Sequence, residues 1–426
     1  MRNLILGLVF LPLAATAEPA FRATGPTEPT RLSPDAFLGA GTVTFADRPW
    51  SLSFDLPWQY CAVTENGIKV CDFAAETYDP RTWDKSGAGA SFEPGMDKEG
   101  RYVRAWVDHA SPARIVVGLQ YALNNEAYDI AHADIPSGSP HGDGDWGEER
   151  WYIYPDGTYT RHITIHTGLA ARSLPFGFER EPPNVVHEFT ETIVIGQPGH
   201  DPLDDIDPAA IIAIRIYGNH SGHVLPQGED ATFTYGPELR DFEEFRDANI
   251  LIVNTRSDYR TFKTGLPYGV QVQPYTIEPG NADLFQTWRG YAEPSIGYIA
   301  ALGHMINYWH YRRSDTRLEQ IYLQGMTNAA DPQEDLVKLG WSWILPPGLW
   351  MEGPEQDYTP RYDPAQKAYL VPRTGTGPAP FCFELIATYD EAARNGTMWL
   401  VNPAFILRDW NDVQTGVDVT LDGQPL

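Results

Sequence analysis

The sequence predicts a mainly β fold, a sandwich or barrel, read as one large antiparallel β-sandwich with a few short helices in its second half. Two observations lead there. From Gly39 to about residue 235, runs rich in Val, Ile, Thr and aromatic side chains alternate with turn signals such as Glu65-Asn66-Gly67, Pro155-Asp156-Gly157 and Gly236-Pro237-Glu238. Runs of the same kind return near the C-terminus, and neither an internal repeat nor a low-complexity array interrupts the pattern.

Taken in order, residues 1–17 carry Arg2, an apolar run from Leu4 to Leu13, and Ala15-Thr16-Ala17 ahead of Glu18. This is the pattern of a secretory signal peptide cleaved after Ala17, so a periplasmic or secreted protein is expected. Residues 18–34, rich in Pro, Thr and Ala, read as a flexible lead-in, and 35–426 as one large catalytic sandwich domain with a partly helical insert near 296–340. Strands are expected at 41–45, 50–56, 60–63, 68–73, 102–107, 113–123, 186–195, 210–218, 231–235 and 250–254. Residues 238–249 read as a short helix, 298–309 as a helix or a pair of strands, and 316–326 and 332–339 as helical. Strand returns at 381–388, 398–401, 404–407 and 417–421.

Residues 145–166 form the chemically richest element, a hairpin whose Pro155-Asp156-Gly157 favours a type I turn closed by a glycine bulge. This three-residue loop sets Tyr154 opposite Thr158, Tyr152 opposite Thr160 and Arg150 opposite His162. Arg150, Tyr152, Tyr154, His162, Thr164 and His166 then share one side, while Trp151, Ile153, Tyr159, Arg161, Ile163 and Ile165 make the better core side. A two-residue loop would instead set Tyr152 against Arg161. In either register Tyr, His and Arg are neighbours on paired strands, which suits acid/base work on an anionic substrate.

With 31 Lys and Arg against 57 Asp and Glu, the net charge of −26 argues against nucleic acid and anionic membrane as partners. No segment after the leader approaches the roughly 18 apolar residues of a membrane span. A polyanionic substrate would need local relief, which Arg312-Arg313 with Arg317, and Arg150 with Arg161, can supply. Thirteen Trp and 22 Tyr are potential platforms for sugar rings, with Trp50, Trp58, Trp83, Trp146 and Trp309 as candidates for exposure. Cys61 and Cys71 flank the Glu65-Asn66-Gly67 loop, whose register brings them face to face. A cross-strand disulfide is expected, the alternative being two reduced core thiols, and Cys382 reads as a buried apolar residue.

His132 precedes the Gly- and Pro-rich loop 136–145, a strand-end position suited to a titrating catalytic group or to a structural histidine. His187 shares a face with Phe189, which favours a half-buried structural role. Asp143 and Asp145 have a spacing that could ligate Ca²⁺, but the complete calcium loop is missing, so no cofactor is expected. Gly-x-Ser-x-Gly, phosphate-loop and dinucleotide fingerprints are absent from the sequence.

Residues 145–157, followed by His187-Glu-Phe-Thr-Glu-Thr-Ile193, resemble a motif of secreted bacterial proteins that break down marine polysaccharides, including ulvan-lyase-like sequences. Similarity continues at Tyr322–Thr327, Trp341–Pro347 and Val401–Leu407. It departs near 308–317, where Thr316 follows Ser314-Asp315 in place of the family's Gly. The resemblance implies β-elimination at a uronic acid: an Arg, Asn, Gln or metal ion neutralises the carboxylate, a Tyr or His removes the C5 proton, and a nearby Tyr often protonates the leaving oxygen.

The function expected from sequence is therefore a polysaccharide lyase acting on a uronate-containing, ulvan-like glycan. Tyr152, His162 and His132 are the expected proton-transfer groups and Arg150 the carboxylate anchor. Tyr154, His166, Arg161, Trp146 and His187 are the expected substrate contacts. The alternatives are a glycoside hydrolase using Asp145, Glu148 or Glu149, and a non-catalytic carbohydrate-binding protein.

Overall fold

A computed structural model describes residues 21–24, 41–54, 60–73, 76–78, 91–111, 113–170, 187–188, 190–218, 223–235, 245–266, 270–274, 285–288, 298–307, 311–351, 361–372, 383–386, 399–408, 420–421 and 424–425. The expected signal peptide, Trp58, Trp83, Trp309 and Cys382 lie outside them. Two antiparallel sheets dominate. In the nine-stranded sheet the spatial order is Phe21–Thr24, Thr42–Phe45, Ser51–Ser53, Cys61–Val63, Lys69–Phe73, Glu191–Ile195, Ile299–Asn307 and Val270–Pro274, with Gln286–Trp288 also pairing to Ile299–Asn307. In the ten-stranded sheet it is His223–Phe233, Ile206–Gly218, Ile250–Thr255, Arg260–Thr264, Arg317–Thr327, Thr158–His166, Trp146–Ile153, Ile115–Ala122 and Arg104–Ala110, with Arg312–Arg313 beside Arg317–Thr327.

The sheets face each other across an apolar core. Val70, Val194, Ala300 and Leu302 of the first sheet pack with Ile163, Ile165, Ala213, Leu251 and Val253 of the second. A second cluster joins Leu52 and Ala62 to Val107, Val117, Trp151 and Ile153. This is the predicted β-sandwich, and its alternating burial follows from the side-chain period of a strand.

A third layer covers part of the ten-stranded sheet's outer face. The helix Gln333–Ile344 buries Leu336, Val337, Trp341 and Trp343 against Ile214, Ile216, Ile250, Ile321 and Leu323. Glu334 and Asp335 in its first turn complement the helix dipole, and the chain leaves the helix before Pro346-Pro347. Beside it, the turn 363–367 closes on the hairpin tip, with Thr160 Oγ1 donating to the Ala365 carbonyl at 2.6 Å and Lys367 Nζ to Asp156 Oδ2 at 3.1 Å.

Three local expectations need correction. Residues 316–326, expected helical, are the strand Arg317–Thr327, and Ile299–Asn307 is also strand, so the insert near 296–340 contributes two central strands before its helix. Ile321 and Leu323 face the covering helix, while Gln320, Tyr322 and Gln324 alternate with them and face the opposite layer. Burial on both faces erases the polar alternation that marks a strand. Within the supposed lead-in, Phe21–Thr24 pairs with Thr42–Phe45. Of the helix expected at 238–249, the described part, 245–249, is a short turn running into irregular backbone.

Candidate functional site

The hairpin has the register read from its turn. Arg150 pairs with His162 and Tyr152 with Thr160, while the Tyr154 N–H donates to the Thr158 carbonyl at 3.0 Å. Gly157 takes φ +80°, the left-handed conformation that a glycine bulge requires. Neighbouring strands extend the register into a grid on the outer face. One row runs Trp106, Gly118, Arg150, His162, Ile321. The row on one side runs Arg104, Gln120, Glu148, Thr164, Glu319, and on the other Val116, Tyr152, Thr160, Leu323.

Gly118 explains how the row is built. A Cβ there would lie 2.4 Å from Trp106 Cε2 and 2.8 Å from Arg150 Nη1, so only glycine lets both side chains settle across the strand. The Arg150 guanidinium sits 5.0 Å from the Trp106 ring centre, and its Nε lies 2.8 Å from Asp108 Oδ2. Trp106 was not among the expected platforms. The signal available in sequence was Gly118 opposite it in the pairing of 102–107 with 113–123.

His162 Nε2 lies 2.7 Å from Glu319 Oε2, and Arg317 Nε lies 2.9 Å from Glu319 Oε1. Burial opposes ionisation of Glu319, but the His162 hydrogen bond and the nearby cations outweigh it and hold the carboxyl below its usual range. That contact places the N–H of a neutral imidazole on Nε2 and leaves Nδ1 as the basic nitrogen. Tyr152 stands one row away, with Arg114 5.6 Å from its ring centre. Burial, then the charge of Asp363, pushes its phenol above the ordinary value, so the hydroxyl keeps its proton. Further along the face, Glu148 Oε1 accepts from His141 Nε2 at 2.7 Å, and His166 Nε2 is 3.7 Å from Glu148 Oε2. These two histidines hold the Glu148 carboxyl far below its usual range.

The structure therefore keeps Arg150, Tyr152, His162 and His166 on one face, with Arg150 directly opposite His162, Tyr152 one same-face step to one side and His166 two steps to the other, and it separates the other expected residues from them. His132 is 2% exposed and turned inward onto Asp145, with Nδ1 2.8 Å from Oδ2. Its position at the loop base buries it rather than presenting it. Tyr154 shares the face, but its hydroxyl donates to the Gln366 carbonyl beneath the 363–367 turn, and burial pushes it up to about 12. Arg161 points into the sandwich, 1% exposed, bound to Glu149 and Asp72. Trp146 is buried beside Tyr102 and His141, Trp50 is buried in the core, and His187 lies on a separate three-stranded sheet opposite Thr77.

Of the residues proposed for hydrolysis, Asp145 and Glu149 are buried and only Glu148 faces outward. Asp145, suggested as a calcium ligand, is directed at His132. Among the described residues no group of three or more His, Cys, Asp and Glu side chains is arranged to hold a metal ion. Cys61 and Cys71, opposite each other in register, form the expected disulfide.

No family profile matches the chain, and no curated protein matches it. Among solved structures it is similar to galactose 1-epimerase from Lactobacillus acidophilus NCFM at 8% identity and TM-score 0.29, over 67% of this chain and 94% of the epimerase. It is similar to a copper-containing benzylamine oxidase from Hansenula polymorpha at 10% identity and TM-score 0.28, over 74% of this chain and 64% of that one. An Aspergillus nidulans amine oxidase gives 10% identity and TM-score 0.26, over 72% and 55%. At these scores the likenesses carry no functional argument.

Proposed function

We propose that this chain is an exported polysaccharide lyase that binds a uronate-containing glycan on the outer face of the ten-stranded sheet and cleaves it by β-elimination. The supporting observation is the row Trp106, Gly118, Arg150, His162 with Tyr152 beside it, an aromatic surface, a cation, a base and a proton donor on adjacent strands about 4.8 Å apart. Although the chain carries −26 charges, Arg104, Arg114, Arg150, Arg312, Arg313 and Arg317 gather at or beside this face, which favours an anionic ligand.

In this reading Arg150 holds the uronate carboxylate, making the C5 proton acidic by stabilising the charge that develops on its removal. His162 Nδ1 takes that proton, and the Tyr152 hydroxyl, kept protonated by its surroundings, delivers one to the departing glycosidic oxygen. Hydrolysis fits less well. An acid-catalysed glycosidase needs one carboxyl protonated, whereas Glu148 and Glu319 are both held ionised by histidines.

The test is incubation of the purified protein with a panel of uronate polysaccharides while following the ultraviolet absorbance of an unsaturated uronate. A rise supports elimination. New reducing ends without the chromophore indicate hydrolysis, and retention of the glycan without cleavage indicates a binding protein.

A further inference from the structure

Directly behind this face, four charged side chains meet between the sheets. Arg161 Nε and Nη2 bond the Glu149 carboxylate at 2.7 and 2.9 Å, and Arg161 Nη1 lies 3.1 Å from Asp72 Oδ1. Lys263 Nζ lies 2.6 Å from Asp72 Oδ2, and the Gln324 amide donates to that oxygen at 2.7 Å. Tyr121 and Trp151 complete the Glu149 carboxylate at 2.8 and 2.9 Å. Asp72 is the contribution of the nine-stranded sheet; the other charges belong to the ten-stranded sheet.

A cavity of about 30 Å³ adjoins this cluster, lined on its polar side by Asp72, Lys263, Gln324, Thr192 and the hydroxyl-bearing Tyr60 and Tyr159, and otherwise by largely apolar side chains such as Leu251 and Phe262. We infer that this cavity is a hydration site that binds an ordered water as an integral part of the charged cluster.

Both size and hydrogen-bond inventory favour water. A buried water needs roughly 10–15 Å³ and usually makes about three hydrogen bonds. Gln324 Oε1 is buried and finds no acceptor role within the protein, because the amide nitrogen of the same side chain is turned to Asp72. Lys263 has three N–H bonds, of which Asp72 takes one and Thr192 Oγ1, at 3.3 Å, another. Tyr60 and Tyr159 hydrogen-bond each other, which uses one hydroxyl proton and leaves one to place. A water accepts from Lys263 and from a phenol and donates to Gln324. An anion cannot donate to Gln324 Oε1, and a cation would meet the Lys263 ammonium. With two positive and two negative members, the cluster attracts neither sign of ion.

The experiment is a high-resolution crystal structure of the full chain, with a second crystal pressurised with xenon, which enters dry apolar cavities. The expected result is a density peak within hydrogen-bond distance of Gln324 Oε1 and of Lys263 Nζ or a Tyr60/Tyr159 hydroxyl, and no xenon there. An empty cavity, a xenon site in it, or a peak touching neither Gln324 nor Lys263 overturns the inference. Gln324→Met, which removes the carbonyl while keeping the side-chain length, is expected to abolish the peak; a peak that persists in this variant also overturns it.

Discussion

Arg150 and Arg161 stand on adjacent strands of one hairpin, each beside a carboxylate, yet the two belong to different regimes. Arg161, 1% exposed, is locked between Glu149 and Asp72 inside the sandwich, whereas the Arg150 side chain is 36% exposed and its partner Asp108 31%. Inside, neither charge can be removed without stranding the other in a low dielectric; outside, water and salt stand in for a lost partner. The same residue type thus serves fold integrity on one side of the sheet and stands open to solvent on the other.

The largest expected effect tests that contrast directly. Arg161→Met leaves Glu149 and Asp72 without their shared cation and should cost about 3–5 kcal/mol in denaturant unfolding, while Arg150→Met should cost about 1 kcal/mol or less. Equal losses would erase the distinction between the faces. Next, Tyr152→Phe should lower turnover by about 10²–10⁴-fold with an unchanged unfolding curve, provided the lyase assay shows activity in the wild-type chain. Under the same proviso, Arg150→Ala should raise KM as well as lower kcat, since its contact exists before the transition state. Near wild-type rates for both variants would remove this face as the active site.

The disulfide gives a smaller stability effect. Replacing both Cys61 and Cys71 with Ala should cost roughly 2–3 kcal/mol by loop-closure entropy. In the native oxidised protein thiol titration should report Cys382 alone. Gly118→Ala should perturb the outer face while sparing the core: the added methyl displaces Trp106 and Arg150, so a loss of glycan binding larger than any fall in Tm is expected. A variant with wild-type binding would show that the row is not a ligand surface.

The mildest effect is pH-dependent. Glu148 is held ionised by His141 and His166, so its folded-state proton affinity is lower than in the unfolded chain. Its stabilising contribution is therefore complete above the ordinary carboxylate range, near pH 4–5, and is lost as pH falls below it, because the unfolded state binds the proton first. Glu148→Gln should flatten the acid side of the Tm profile; an unchanged acid limb would show that the histidine pair adds nothing to stability.

Much of the site's local geometry was legible from residues 145–166 because a turn propagates register. Once Pro155-Asp156-Gly157 sets a three-residue loop, the strand period of two assigns every side chain of both strands to a face. The Cys61–Cys71 pairing follows from the same logic around Glu65-Asn66-Gly67. The residues beyond one hairpin were not legible in that way. Glu319 reaches His162 from 157 positions away, and Trp106 enters the row through a separate strand.

The sequence alone pointed to the β class, the hairpin register and the facing cysteines, since each rests on local periodicity. Only the tertiary structure decided which aligned residues remain accessible. Tyr154 keeps the predicted face but is covered by the 363–367 turn, His132 is turned inward onto Asp145, and the 317–327 segment is a strand paired on both edges and covered on both faces. Register is a short-range property that a turn can encode; accessibility depends on which distant layer packs on top, and a strand's own pattern records that only as hydrophobicity.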